Sequence, residues 1–233
     1  MSNGQDYLAP LNIEQEDFWH TNKDRILLPS ITGKNILDLG CGLGSLSIIL
    51  ARQGKKVTAI DDSQEYLTIA KKKSKALKIT YLLMDFTKEQ VPLKKKFDTV
   101  IISGVIEHIQ DDLTFLKKIH TLLREHGKII ILTSAYPWLY SSFDKSVGHY
   151  RRYSKKQLIT ITQKAGFTIT SLRYWDILAL PVLFLTRILH HTVVHPEGLS
   201  NNYLNKILDK WFLFFENKKI LPLGADLIMV AEK

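Results

Sequence analysis

The residues best suited to chemistry lie in one short turn, Asp38-Leu39-Gly40-Cys41-Gly42-Leu43-Gly44, and in two acids further along, Asp61 and Asp85. The glycines let the backbone turn sharply and let a ligand approach bare amides. A carboxylate at position 38 would repel a diphosphate; it suits a ligand with a cationic centre and no phosphate. Asp61 lies 21 residues past Gly40 and closes an apolar run, where a carboxylate can accept both hydroxyls of a ribose. Asp85-Phe86 closes the next run, and an acid beside an aromatic ring can hold the amino group and the face of an adenine. The plainer readings are a helix-capping acid at Asp61 and an ordinary turn at Asp85. A nicotinamide dehydrogenase would also carry a ribose acid, but its fingerprint needs a third glycine where Ser45 stands. Cys41 sits inside the turn with no histidine near it in sequence, and is expected to be a small packing residue rather than a nucleophile.

These groups need elements to hold them. Strand-like apolar runs alternate with helical ones, the pattern of an α/β fold with a mainly parallel sheet. The strands are expected at 36–39, 57–60, 79–84, 97–102, 128–133, 167–174 and 226–231. Helices are expected at 43–53, from Ser63 to about Lys75, from Asp111 or Asp112 to Glu125, and from Ser154 to Ala165, the last three opened by capping side chains. Residues 1–30 read as a helical cap over the top of the sheet. Ligands in such sheets bind beyond the carboxyl ends of the strands, so Asp38, Asp61, Asp85 and Ser103 are expected to meet in one crevice.

The chain has 233 residues and a net charge of +9, with lysine clusters at 71–73 and 94–96. Neither cluster is interleaved with aromatics, so base stacking finds no support and solvated faces are expected. One cysteine allows no internal disulfide and points to a reducing, cytoplasmic setting. Residues 1–11 lack the basic-then-apolar pattern of a signal peptide. The longest apolar run, Ile177 to Leu185, is too short for the roughly 20 residues that cross a bilayer.

The four stretches Ile36 to Gly44, Val57 to Asp61, Leu82 to Phe86 and Phe97 to His108 occur in the order and at the spacing of the class I S-adenosylmethionine-dependent methyltransferases, which this chain resembles over about residues 16–175 and its last strand. The resemblance implies one methyltransferase domain over 1–233, a Rossmann-like seven-stranded sheet in the order 3-2-1-4-5-7-6 with strand seven antiparallel, helices on both faces, and S-adenosylmethionine as methyl donor. It implies that Gly40, Cys41 and Gly42 line the methionine and ribose part, that Asp61 with Asp62 takes the ribose, and that Asp85 and Phe86 face the adenine. Ser103 would lie near the methionine, Asp38 would act on the ammonium end, and Trp19, followed by Lys23, would cover the cofactor. No metal is expected; His190, His191 and His195 lack an evident acid partner.

The family places its acceptor pocket after strand five. Here the loop runs through Trp138 and Tyr140 to Gly148-His149-Tyr150-Arg151-Arg152-Tyr153-Ser154. His149 is the candidate general base, because an ordinary imidazole titrates near neutrality; a structural histidine is the alternative. Arg151 and Arg152 could clamp an acceptor carboxylate or phosphate, or tie the loop down as salt bridges. Trp138, Tyr140, Tyr150 and Tyr153 would line an apolar or planar acceptor, with core packing as the rival. Residues 176–224 insert two very apolar helices between the last two strands. They are read as a lid or homodimer surface, or, over 176–217, as a shallow membrane contact with basic residues at the headgroups. The expected activity is methyl transfer to a small-molecule or lipid-linked acceptor, at oxygen. RNA methylation is the rival enzyme class, disfavoured because Ser103-Gly104-Val105-Ile106 replaces the Asn/Asp-Pro-Pro-aromatic element of adenine amino-methylases. A cofactor-binding, non-catalytic regulator is the rival outside enzymes.

Overall fold

The computed structural model describes residues 18–86, 96–189, 202–218 and 220–233. Residues 1–17 of the expected cap, Lys94 and Lys95, and the three histidines at 190, 191 and 195 lie outside the described residues. Helix α1 (Phe18–Leu27) leads to β1 (Asn35–Leu39), α2 (Ser45–Arg52), β2 (Lys56–Asp61), α3 (Gln64–Lys73) and β3 (Ile79–Leu83). Then follow β4 (Phe97–Ser103), α4 (Asp112–Leu122), β5 (Leu123–Ser134), a short α5 (Ser142–Ser146), α6 (Lys155–Lys164) and β6 (Thr168–Trp175). The chain continues with α7 (Ala179–Leu189), α8 (Asn202–Trp211), which widens into a π turn at Phe212–Glu216, and β7 (Asp226–Glu232).

The seven strands form one sheet in the order β3-β2-β1-β4-β5-β7-β6, and β7 runs antiparallel to both neighbours. The near-continuous apolar runs follow from burial on both faces. Leu37, Val100, Ile102 and Ile131 enter one core with Phe115 of α4 and Leu158 of α6. Their neighbours Ile36, Ile101 and Ile130 enter the other, with Leu46 and Leu50 of α2, Leu27 of α1 and Phe212 of the π turn. Ser63, Asp111 and Ser154 cap α3, α4 and α6 as expected, each side chain accepting a backbone N–H from the first turn.

One boundary differs from expectation. The helix expected to reach Glu125 ends at Leu122. Leu123 turns extended, buries its side chain fully and pairs with Phe97, and the chain then bulges before Lys128 pairs with Thr99. Pairing with β4 overrides the helical preference of the sequence. His126 takes a φ of 61° inside that bulge.

Candidate active site

The ends of β1, β2 and β4 build the first half of the site. Gly40 N and Cys41 N both donate to Ile60 O, at 2.8 and 3.0 Å, which pins the glycine turn against the end of β2. Gly42 N donates to Asp61 Oδ2 at 2.8 Å, and Ser63 N to Asp61 Oδ1 at 3.0 Å. Asp61 therefore shapes the turn as well as facing it. Gly40 has a φ of 70°, and a Cβ there would stand 2.4 Å from Val105 Cγ2. Gly42 has a φ of 53° and a Cβ would meet nothing within 4 Å, so open space lies above this part of the turn.

Asp38 is buried and accepts from Ser47 Oγ at 2.6 Å. Burial pushes its carboxyl up to about 6 against that hydrogen bond. Burial likewise raises Asp61, opposed by the N–H groups of Ser63 and Gly42. It also pushes the Cys41 thiol up, which keeps it protonated and inert as a nucleophile. Cys41 packs against the second core. Asp62 is exposed beside Asp61, Asp85 is half-buried beyond β3, and Phe86 lies against Phe115 with ring centres 5.9 Å apart. Ser103 Oγ, at the end of β4, is buried with no hydrogen-bond partner among the described residues. An orphaned hydroxyl, an open glycine cradle and two raised carboxyls form a donor set that suits a cationic nucleoside.

Helix α1 bonds to the start of α2 and to the residue after β6. Its Asp24 accepts from Ser45 Oγ at 2.6 Å, at the start of α2. Trp19 Nε1 donates to Asp176 Oδ2 at 2.8 Å, and its ring lies 5.6 Å from that of Trp175. Lys23 Nζ stands 5.5 Å from the Trp19 ring centre. Asp176, absent from the expected site residues, is thus the anchor of the cap; its positive φ of 61° had no signal in the sequence. Burial raises its carboxyl to about 6.

The loop after β5 builds the other half. His149 Nδ1 lies 3.1 Å from Asp144 Oδ1, and Arg152 Nε donates to the same oxygen at 2.7 Å. Burial favours a protonated Asp144, but the hydrogen bond from His149 and the charge of Arg152 together hold it below the ordinary value. A carboxylate only accepts, so Nδ1 of a neutral His149 carries the proton and Nε2 is left as the acceptor. The His108 ring meets His149 edge-on at 4.6 Å, and burial lowers its titration to about 4. Tyr140 Oη donates to His149 O at 2.8 Å, and Tyr150 N to Glu107 O at 2.8 Å. Glu107 is itself buried, accepts from Thr133 Oγ1 at 2.8 Å, and has its carboxyl raised by burial.

Three expected acceptor contacts are corrected. Arg152 is buried on Asp144, with no face turned to a ligand. Arg151 donates to Asp112 Oδ2 and to Gln110 O, both at 2.7 Å. Both arginines tie the loop down. Tyr153 is buried, and its hydroxyl donates to Asp112 Oδ2 at 2.9 Å, so it packs the core rather than walling a pocket. Asp144 was missed, though Ser141-x-x-Asp144 is a capping box legible in the sequence, and α5 begins on it.

Trp138 and Tyr150 are the exposed aromatics of this loop. Trp138 lines an apolar cavity of about 430 Å³ with Tyr136, Leu139, Ile177, Leu180, Pro181, Phe184 and Leu223. The wall opposite Trp138 is therefore supplied by the start of α7 and the segment before β7. Tyr140 and Tyr150 are not among its lining residues.

A family model described as a methyltransferase domain matches residues 11–172. The chain belongs to this methyltransferase-domain family. The methyltransferase is 34% identical over 117 residues to a ubiquinone biosynthesis O-methyltransferase of Aeromonas salmonicida, a match covering 49% of this chain and 48% of that one. It is 31% identical over 105 residues to N-methyltransferase 4 of Papaver somniferum, covering 43% and 30%. The methyltransferase thus spans about half or less of the curated relatives it matches. Among solved structures, the N-methyltransferase NodS of Bradyrhizobium japonicum bound to S-adenosyl-L-homocysteine has the same fold, with a TM-score of 0.61 at 16% identity over 96% of this chain and 91% of that one.

Proposed function

We propose that this methyltransferase acts at a hydroxyl of a small, mainly apolar acceptor, free or lipid-linked. The observation that carries this reading is the apolar cavity between Trp138 and α7, at the end of the sheet where the donor crevice lies. The name of the Aeromonas relative supports oxygen as the accepting atom.

Bound S-adenosylmethionine supplies a methyl group already activated on a sulfonium. The chain's own residues do the rest. Asp61, with Asp62 beside it, accepts from the ribose hydroxyls, and the amides at Gly40 to Gly42 line the methionine side. Asp38 balances the cationic end, Ser103 Oγ gains a partner there, and Asp85 and Phe86 hold the adenine edge and face. Trp19, held by Asp176, closes the crevice against water. Alignment of acceptor and methyl can supply up to about 7–11 kcal/mol of the barrier in ideal cases. His149 Nε2 takes the acceptor hydroxyl proton, and Asp144 fixes the tautomer that leaves Nε2 available. Trp138 walls the apolar body of the acceptor.

The test is product mass spectrometry on cell extract incubated with the purified methyltransferase and isotope-labelled S-adenosylmethionine. Label on the oxygen of an organic-extractable small molecule is expected. Label on nitrogen or carbon overturns the oxygen assignment, and label in RNA overturns the acceptor class.

A further inference from the structure

The segment 202–218 faces two ways. Its two acids are both engaged: Asp209, partly exposed, accepts from Arg25 Nη1 at 2.6 Å and Asn22 Nδ2 at 2.8 Å, fastening α8 to α1. Glu216 is fully buried and accepts from Ile177 N and Trp211 Nε1. Phe212 is buried on Trp175, with ring centres 5.4 Å apart. Between those two inward anchors the π turn pushes Leu213, Phe214 and Phe215 outward in succession; Phe214 is 56% exposed and Phe215 47%. Phe212 and Glu216, four residues apart, hold the inner face, so Leu213, Phe214 and Phe215 lie on the outer one, where three large apolar side chains together make an exposed patch. Trp211 stacks on Phe215 at 5.0 Å and extends the apolar tip.

The exposed charges of 202–218 are mainly basic, its partly exposed acid Asp209 being paired with Arg25. Lys206, Lys210 and Lys218 are exposed, and Lys218 Nζ lies 5.4 Å from the Phe214 ring centre. Helix α7 adds exposed Leu185 and Arg187 and contains no acid. Phe184 of α7 is 49% exposed and lines the apolar cavity. Among the described residues no helix is long and apolar enough to cross a membrane. Consecutive exposed aromatics beside exposed lysines, with the acids of 202–218 neutralised by Arg25 or buried among the described residues, fit shallow insertion into an anionic interface, with rings below the headgroups and ammonium groups among the phosphates.

We propose that residues 206–218, with the exposed side of α7, dock this methyltransferase on the surface of an anionic lipid bilayer. The charge complementarity selects a membrane over a second copy of the chain, whose matching patch would bring lysines against lysines. The docking goes beyond the acceptor reading and does not depend on it, because it needs neither cofactor nor acceptor.

The experiment is vesicle flotation of the full chain without cofactor, on phosphatidylglycerol–phosphatidylcholine vesicles and on phosphatidylcholine alone. The expected result is binding to the anionic vesicles only, weakened by added salt. Phe214→Ser with Phe215→Ser, and separately Lys206→Glu with Lys210→Glu and Lys218→Glu, are each expected to weaken partitioning by about tenfold or more. All three proteins are to show the same cofactor affinity by calorimetry, which establishes that the variants fold. Absence of flotation, undiminished flotation of both folded variants, or equal binding to neutral vesicles overturns the proposal. So does a dimer that Phe214→Ser with Phe215→Ser dissolves in a protein that does not float. The acceptor reading survives or falls separately, on the labelled product.

Discussion

The donor crevice and the acceptor loop are built in opposite ways. In the crevice, the residues proposed to hold the donor stand within a few positions of a strand end: Asp38, Gly40, Gly42, Asp61 and Ser103. The same atoms serve fold and ligand, as when Asp61 both holds Gly42 N and faces the open cradle. In the acceptor loop the two tasks are divided. Asp144, Arg152 and Tyr153 are buried and hold the loop in shape, Trp138 lines the apolar cavity, and His149 is the residue we propose as base. A sheet edge can present reactive groups without help; a long loop must first be made rigid.

The change expected to have the largest effect separates the two halves. His149→Ala should lower turnover by roughly 10²–10⁴-fold, the usual worth of a positioned general base. Calorimetry with S-adenosylmethionine should show unchanged affinity, because His149 belongs to the acceptor side. Undiminished turnover would leave His149 as a structural bridge to Asp144 and move the proton acceptor elsewhere.

Next in size is Arg152→Ala. Removing one partner of a buried ion pair costs about 3–5 kcal/mol, because the other charge is stranded. Denaturant unfolding should show that loss, with the cofactor affinity of the protein that remains folded unaltered. A neutral result would mean that Asp144 is satisfied by His149 and Ser141 alone, and that the division of labour in the loop is weaker than its geometry.

Arg152 also marks where sequence reasoning stops. The local build of the glycine turn was legible, because a glycine turn between strand and helix has few ways to fold; the ligand roles of Asp38, Asp61 and Asp85 rest on the resemblance and remain proposals. The strand order was implied by the family resemblance, while the caps at Ser63, Asp111 and Ser154 followed from local rules. In Tyr150-Arg151-Arg152-Tyr153 the buried pair is Arg152 and Tyr153, and which residues turn inward depends on where Asp112 and Asp144 come to rest. Those partners lie 39 and 8 residues away in the chain, and no local pattern links them. The end of α4 was missed for the same reason, since Leu123 answers to Phe97 across the sheet. Trp19 was expected over the cofactor on the strength of its position, but its bond to Asp176 is made across 157 residues.

A smaller effect comes from the donor half, through pH. The folded state raises the Asp38 carboxyl from 3.8 to about 6, so it holds that proton more tightly than the unfolded chain does. The stability this gives is fully present below pH 3.8 and is lost as pH climbs through about 6, a change of roughly 2–3 kcal/mol. Thermal unfolding of the cofactor-free protein should therefore show declining stability across that window, and Asp38→Asn should make the decline shallower, leaving the share contributed by Asp176. Cofactor affinity should move the other way, strengthening over the same window, because a cationic ligand prefers the ionised carboxylate. If affinity is flat there, Asp38 shapes the turn through Ser47 and does not touch the ligand's charge.

The smallest expected effect tests the contrast most closely. Arg151 is the neighbour of Arg152 in sequence and its opposite in setting: its side chain is 34% exposed, and its two hydrogen bonds reach Asp112 and the carbonyl of Gln110 at the protein surface. An ion pair so placed is screened by water, and its loss costs about 1 kcal/mol or less. Asp112 keeps the Tyr153 hydroxyl when the guanidinium is gone, so no buried charge is stranded. Arg151→Ala should accordingly lower the unfolding free energy by no more than that and leave both kcat and KM within about twofold. A large rise in KM with kcat intact would carry a different meaning. The guanidinium would then be leaving Asp112 to grip an anionic group on the acceptor, and the loop would combine scaffold and ligand contact in one residue, as Asp61 does in the crevice.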